Sequence, residues 1–257
     1  MTVHLERISS GLATITLDRP EKRNALTLEM FQQFGDILVG LDADDDVRCI
    51  VVRGSGGSFC AGSDIGSFAQ DREGRTKVRE YAEFTVRMTD TLKDCRHPTV
   101  AQIEGACVGG GLEIAALCDI RIAATNSRFG MPINRIGITV DYRELADLIS
   151  LVGHSVALEL LLEGHIFGAE EALTKKLVTR VVNEKDLEKS VSETVSRIMS
   201  GAPLVNRAHK AFVRRLRRSD WLSADELDEA YACFDSDDYR IGRDAFSQKV
   251  KPVFTGR

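Results

Sequence analysis

The ten residues Glu104-Gly105-Ala106-Cys107-Val108-Gly109-Gly110-Gly111-Leu112-Glu113 constrain this chain more than any other segment. The three consecutive glycines follow an apolar stretch, Thr99 to Ile103, that reads as a strand, and open a run, Leu112 to Leu117, that reads as a helix. Glycine lets a ligand approach the backbone, and the N–H groups of a helix start attract negative charge. Glu113 adds a carboxylate two residues past the last glycine. Together these are the parts needed to hold a developing oxyanion and to move a proton beside it. The same pattern also serves packing alone, because an acidic residue in a first helical turn is favourable against the helix dipole. Neither the dinucleotide fingerprint G-x-G-x-x-G nor the phosphate-loop pattern G-x-x-x-x-G-K-[ST] occurs in this segment.

A second segment has the same design. Cys49 to Val52 reads as a buried strand, and the glycine-rich run from Arg53 to Ile65 follows it, with small residues at Ala61, Gly62 and Ser63. Two such loops at the ends of two strands can each offer one backbone N–H to the same oxygen. Gly54 to Ser58 also reads as an ordinary flexible loop, whereas the order Ala61-Gly62-Ser63-Asp64 suits a surface loop less well.

With these residues in view the chain resembles the crotonase family, which includes enoyl-CoA hydratases and isomerases. The matching residues are Arg19-Pro20 with Asn24-Ala25-Leu26, Phe59 to Ile65, Gly105, and Gly109 to Glu113. Further matches are Cys118-Asp119, Phe129-Gly130 with Pro132 and Gly137, Ala169 to Ala172, and Ala245-Phe246 with Lys249, Lys251-Pro252 and Phe254. The resemblance implies an α/β fold, with a ββα spiral core over residues 1–195 and a C-terminal helical oligomerisation region over 196–257. It also implies a homotrimer or a dimer of trimers. By position it implies an acyl-CoA substrate whose thioester carbonyl is polarised by the N–H groups of Ser63 and Gly110. Lys22, Arg23, Ala25, Ala61, Asp64 and Ile65 match the lining of the coenzyme A site. Coenzyme A would be part of the substrate, with no tightly bound cofactor.

The departure from the family pattern carries equal weight. Hydratases of this family use two glutamates; Glu113 matches the first, but Ile133 stands where the second follows a proline. An isoleucine neither takes nor gives a proton. Asp141, eight residues further on, matches a position that carries a catalytic aspartate in some relatives. In dienoyl-CoA isomerases that aspartate moves a proton, and in 4-chlorobenzoyl-CoA dehalogenase it is the nucleophile. The dehalogenase also has a tryptophan at the position of Ile133 and a catalytic histidine with no counterpart near Val86. Asp141 reads equally as the N-cap of a helix starting near Tyr142.

The reading is therefore an enoyl-CoA hydratase or isomerase with Glu113 as general acid/base and Asp141 as a second carboxylate. Two alternatives stand beside it. One is an Asp141-dependent acyl-CoA hydrolase or dehalogenase, or an acyl-CoA decarboxylase; the other is a non-catalytic coenzyme A-binding scaffold, since fold alone never fixes function.

Charge and composition exclude other classes. A net charge of -5 over 257 residues argues against a nucleic-acid surface. Arg19, Lys22 and Arg23 form a local basic cluster for an anionic substrate, or else a solvated turn. The six cysteines show no C-x-x-C pairing and read as reduced thiols in a cytoplasmic protein; Cys60 reads as packing rather than chemistry. The five histidines lack metal-site spacing, so no metal is expected. No membrane role is expected either: no apolar stretch reads as membrane-spanning, and strand-like residues from Thr2 leave no room for a targeting peptide.

Along the chain, Thr2 to Glu6 and Leu12 to Leu17 read as a hairpin around Ser9-Ser10-Gly11. Thr27 reads as the N-cap of a helix whose Phe31, Phe34, Leu38 and Leu41 face the core. Arg72 to Asp94 reads as a charged helical excursion. Pro203 opens a helix after Gly201 ends the previous one, and Arg214-Arg215-Leu216-Arg217-Arg218 reads as a solvated helix face.

Overall fold

The computed structural model describes residues 2–8, 11–67, 74–217 and 220–257. Ser9 and Ser10 of the expected hairpin turn, Arg72 of the helical excursion and Arg218 of the basic run lie outside these. The first two strands, β1 (Val3–Ile8) and β2 (Leu12–Leu17), pair antiparallel as the hairpin reading predicts. Then β3 (Cys49–Gly54), β4 (Thr99–Ile103), β6 (Ile120–Ala124) and β9 (Arg180–Val182) add in parallel, giving a six-stranded sheet in the order β1-β2-β3-β4-β6-β9. A second, smaller sheet holds β5 (Ala106–Val108), β7 (Arg128–Gly130) and β8 (Phe167–Gly168).

The helices connecting these strands are α1 (Leu28–Asp42), α2 (Gly74–Asp94), α3 (Gly110–Leu117) and α4 (Tyr142–Glu163). The spiral follows from their order. Each of four successive units supplies a strand to the large sheet, then a short segment to the second layer, then a helix. The units are β2, Leu26 and α1; β3, the Cys60–Ser63 segment and α2; β4, β5 and α3; and β6, β7 and α4. Parallel bridges Leu26↔Ser63 and Cys60↔Cys107, with the β5–β7 ladder, stack the second-layer segments in sequence order.

At the centre of the large sheet both faces are buried, so β3, β4 and β6 are mainly apolar, whereas the edge strand β1 is largely exposed. On one face Ile15, Ile50, Val52 and Ile103 meet Met30, Phe31, Phe34, Leu38 and Leu41 of α1. On the other, Cys49, Val51, Val100 and Ile122 meet Leu187, Val191 and Val195 of α6 (Leu187–Met199), which follows α5 (Ala169–Thr174). Thr27 caps α1 as predicted, accepting from the Met30 N–H at 3.3 Å. All six cysteines are free thiols.

The chain ends in α7 (Pro203–Arg215), α8 (Ala224–Glu229) and α9 (Asp237–Gln248). Pro203 stands in the first turn of α7, where its missing N–H costs nothing. The basic run at the end of α7 is not the solvated face expected. Arg214 donates to the Cys95 carbonyl at 2.9 Å, Arg217 pairs with Asp147 at 2.9 Å, and Arg215 pairs with Glu226. These partners lie far away in sequence or beyond the helix end, so the run straps α7 to the core and to α8.

The expectation that no apolar stretch reaches membrane-spanning length needs correction. The 22-residue α4 contains an 18-residue window with a mean hydropathy of 1.7, long and apolar enough by length and composition. Gly153, with φ 80° and ψ 166°, breaks it into segments about half that length. Its second half carries Leu158 and Leu162 at 57% and 72% exposure, an apolar face that nothing in this chain covers among the described residues.

His97 lies fully buried between the core and α7, and Lys210 of α7 donates to its carbonyl at 2.6 Å. Burial, with Arg207 and Arg96 adding positive charge, pushes its imidazole down to about 4 from an ordinary 6.5. The unfolded chain therefore binds a proton that the folded chain refuses between those values. Folding stability should fall as pH drops from about 6.5 toward 4, by up to about 3 kcal/mol from this group. Urea unfolding at several pH values checks this, with His97→Asn expected to flatten the decline.

Candidate active site

The site is built from the second-layer segments. Phe59 N–H donates to the Glu104 carbonyl at 2.7 Å, Cys60 N–H to Ala106 at 2.7 Å, and Val108 N–H to Cys60 at 3.0 Å. On its other side this segment is equally pinned. Ala61 N–H donates to Arg23 at 2.9 Å, Leu26 N–H to Gly62 at 2.8 Å, and Asp64 N–H to Leu26 at 2.8 Å. Residues 59 to 64 thus form the middle rung of a three-part parallel ladder, which fixes where the Ser63 amide lies.

Glycine is required at the closest approaches. Gly62 has φ +98°, and a Cβ there would lie 3.0 Å from the Val108 carbonyl. A Cβ on Gly111 would overlap the Cys60 carbonyl, so the turn into α3 packs backbone against backbone. Gly110 is the first residue of α3, where an amide has no acceptor within its own helix. A Cβ built on Gly110 would stand 3.7 Å from the Ser63 nitrogen and 3.7 Å from Glu113 Oε2. The two predicted oxyanion donors and the predicted acid/base therefore surround one point.

That point opens on a cleft of about 930 Å³, within the range of small-molecule sites. Ala61, Ser63, Ile65, Gly110, Glu113 and Asp141 all line it, and so does Ile133. Lys22, Arg23, Ala25 and Asp64 do not line the cleft; Arg23, Ala25 and Asp64 brace the adjoining turn. The Arg23 carbonyl receives the Ala61 amide, and Arg19 ties the Ala25 carbonyl, at 3.1 Å, to the Asp64 carboxylate, at 2.6 Å. The Arg19 guanidinium holds the Asp64 carboxyl below its ordinary range. Arg19 is thus a strut inside the loop rather than an open cation. Asn24, fully buried with φ 58°, clamps the same turn by donating to the Ser55 and Ser58 carbonyls at 2.9 and 2.6 Å.

Asp141 caps α4 as the helix-cap reading required: its Oδ1 accepts from Arg143 N–H at 2.7 Å and Glu144 N–H at 3.1 Å. Cys60 is fully buried, accepts weakly from Gly62 N–H at 3.4 Å, and burial pushes its thiol up to about 12. It organises the loop and has no thiolate to offer at neutral pH.

Two lining residues escaped the sequence reading. Tyr81 of α2 is buried, and its hydroxyl reaches Ser63 Oγ at 3.5 Å. Nothing local marks it, since it lies 18 residues from its partner. Glu144 lines the cleft with Glu113 and Asp141. Three residues past an N-cap, a glutamate reads as a capping-box partner, which hides it from a search for chemistry.

Comparison with known proteins agrees with this geometry. The family model described as Enoyl-CoA hydratase/isomerase matches residues 7–257. A Crotonyl-CoA hydratase of Syntrophomonas wolfei is 32% identical, the match covering 96% of this chain and 95% of that one. A peroxisomal Delta(3,5)-Delta(2,4)-dienoyl-CoA isomerase of Arabidopsis thaliana is 30% identical, covering 86% and 88%. The crystal structure of an enoyl-CoA hydratase/carnithine racemase from Magnetospirillum magneticum superimposes with a TM-score of 0.98 at 41% identity, covering 100% of this chain and 96% of that one. A spiral of ββα units, two backbone amides facing one glutamate, and a family match along almost the whole chain have one meaning: this protein is a member of the enoyl-CoA hydratase/isomerase, or crotonase, family.

Proposed function

We propose that the protein moves a carbon–carbon double bond in an unsaturated acyl-CoA by way of a thioester enolate. The observation that carries this reading is the convergence of the Ser63 and Gly110 amides on Glu113, with Ile133 at the position of the second hydratase glutamate. The thioester oxygen binds between the two amides. Glu113 takes a proton from the carbon next to the carbonyl, and the charge that develops on oxygen meets fixed dipoles in place of mobile water. Returning a proton at the far end of the conjugated system completes the isomerisation. Lys22, Arg23 and Ala25, with Ala61, Asp64 and Ile65, take the coenzyme A portion at the rim. Isoleucines at 133, 136 and 138 and Val140 line the cleft and suit an apolar acyl chain.

The exposed Leu158 and Leu162 of α4 support subunits that associate into a trimer, alone or paired.

The test uses two substrates. A short β,γ-unsaturated acyl-CoA incubated with the purified protein should gain the ultraviolet band of a conjugated thioester. Crotonyl-CoA, already conjugated, should keep its band. Rapid loss of the crotonyl-CoA band would instead establish hydration and overturn the isomerase reading.

A further inference from the structure

Returning the proton to carbon falls to Glu113 alone or to a second group, and Ile133 cannot be that group. We propose that Glu144 is, as the second proton-transferring carboxyl paired with Glu113. The inference rests on the enolate reading above and adds a residue to it.

Three observations carry it. Glu144, in the first turn of α4, lines the same cleft as the two oxyanion amides and Glu113. Glu113 and Glu144 also share a second, smaller cavity between α2, α3 and α4, lined as well by Thr89, Asp90, Arg143 and Asp147. Its volume is about 30 Å³, room for about one water; its walls are mainly apolar, with Leu112, Met131, Val140 and Leu148 among them, so the polar partners for that water are the few side chains just named. The third concerns Asp141, the other carboxylate in the cleft. Its Oδ1 is already engaged by two amides of α4, and its side chain is 42% exposed at the cleft mouth. Asp141 fixes where the helix starts, and the start of the helix fixes where Glu144 stands.

The step then balances. The step needs one proton held between the two carboxyls that line this cavity. In the starting state Glu113 is the carboxylate and Glu144 the acid. Glu113 removes the α-proton of a β,γ-enoyl thioester, and the C–H electron pair moves to give a dienolate with its charge on the thioester oxygen. The dienolate then takes the Glu144 proton at its γ-carbon, and the electrons shift to leave the double bond between the α- and β-carbons. Glu113 ends protonated and Glu144 ionised. One water in the small cavity carries the proton back, restoring the pair and exchanging it with solvent.

The experiment compares wild type with Glu144→Gln, which keeps the side-chain shape and leaves both backbone caps intact, and with Asp141→Asn, which preserves an N-cap. For turnover of the β,γ-enoyl-CoA, Glu144→Gln should lower kcat by about 10²-fold or more while KM stays within about twofold. In deuterated water the wild-type product should carry solvent deuterium at its γ-carbon. The residual product of Glu144→Gln, formed by Glu113 alone, should retain the substrate hydrogen there. Asp141→Asn should keep the solvent label. An unchanged kcat and unchanged label in Glu144→Gln, or loss of the label in Asp141→Asn alone, would overturn the assignment while leaving the enolate reading in place. Absence of wild-type turnover on either substrate would remove both.

Discussion

Replacing Glu113 by Gln should lower turnover by about 10²–10⁴ while acyl-CoA binding is retained. The side chain keeps its size, so the position 3.7 Å from the Gly110 Cβ direction stays filled and the Ser63 and Gly110 amides stay where the ladder holds them. What is lost is a group able to take a proton from carbon. The check is steady-state kinetics on the substrate that wild type turns over, together with a direct binding measurement using a non-reactive saturated acyl-CoA. A fall in kcat with unchanged affinity places Glu113 in the chemical step. Loss of affinity alone would assign it to binding.

Gly110→Ala is the second large effect, and it separates the backbone contribution from the side-chain one. Every neighbour of the added methyl is 3.7 Å away, an ordinary contact, so folding should be nearly unaffected. Yet one of those neighbours is the Ser63 nitrogen, so under the proposed mechanism the methyl crowds the place of the thioester oxygen. Catalytic efficiency should therefore drop by about 10²–10³, the cost of losing a single oxyanion donor. Unfolding midpoints should match wild type within about 1 kcal/mol, as for a substitution without a clash or cavity. The neighbouring Gly111→Ala is the contrasting control. Its methyl would overlap the Cys60 carbonyl in a fully buried contact, so it should destabilise the fold by about 1–3 kcal/mol.

Much of this architecture was legible in the chain because local physics decided it. Thr27 and Asp141 cap helices with short side chains that bond within three residues, and the apolar spacing of α1 follows the helical period. The glycines at 62 and 111 marked close backbone approaches that a side chain would crowd. Other features depended on partners distant in sequence. Arg214 and Arg217 read as solvated because Cys95 and Asp147 are 119 and 70 residues away. Tyr81 meets Ser63 only once α2 lies over the loop, and Glu144 shares a cavity with Glu113 only once α3 and α4 pack together. Lys22, Arg23 and Ala25 were placed by resemblance; none of them lines the cleft, and Arg23 is tied to the site segment through its carbonyl, which accepts from the Ala61 amide.

The ladder through residues 23–26, 59–64 and 104–108 also bears on how such a scaffold diversifies. The proposed oxyanion donors are main-chain groups belonging to two different turns of the spiral, and their positions depend on hydrogen bonds that almost any sequence can make. Electrostatic stabilisation of the enolate is therefore inherited with the fold and survives drift at most side chains. The residues that dispatch protons, by contrast, stand on helices and turns around the cleft, where each can be exchanged singly without disturbing the donors. A scaffold built this way can exchange the carboxyls around its cleft, and with them its reaction, while its main-chain component stays untouched.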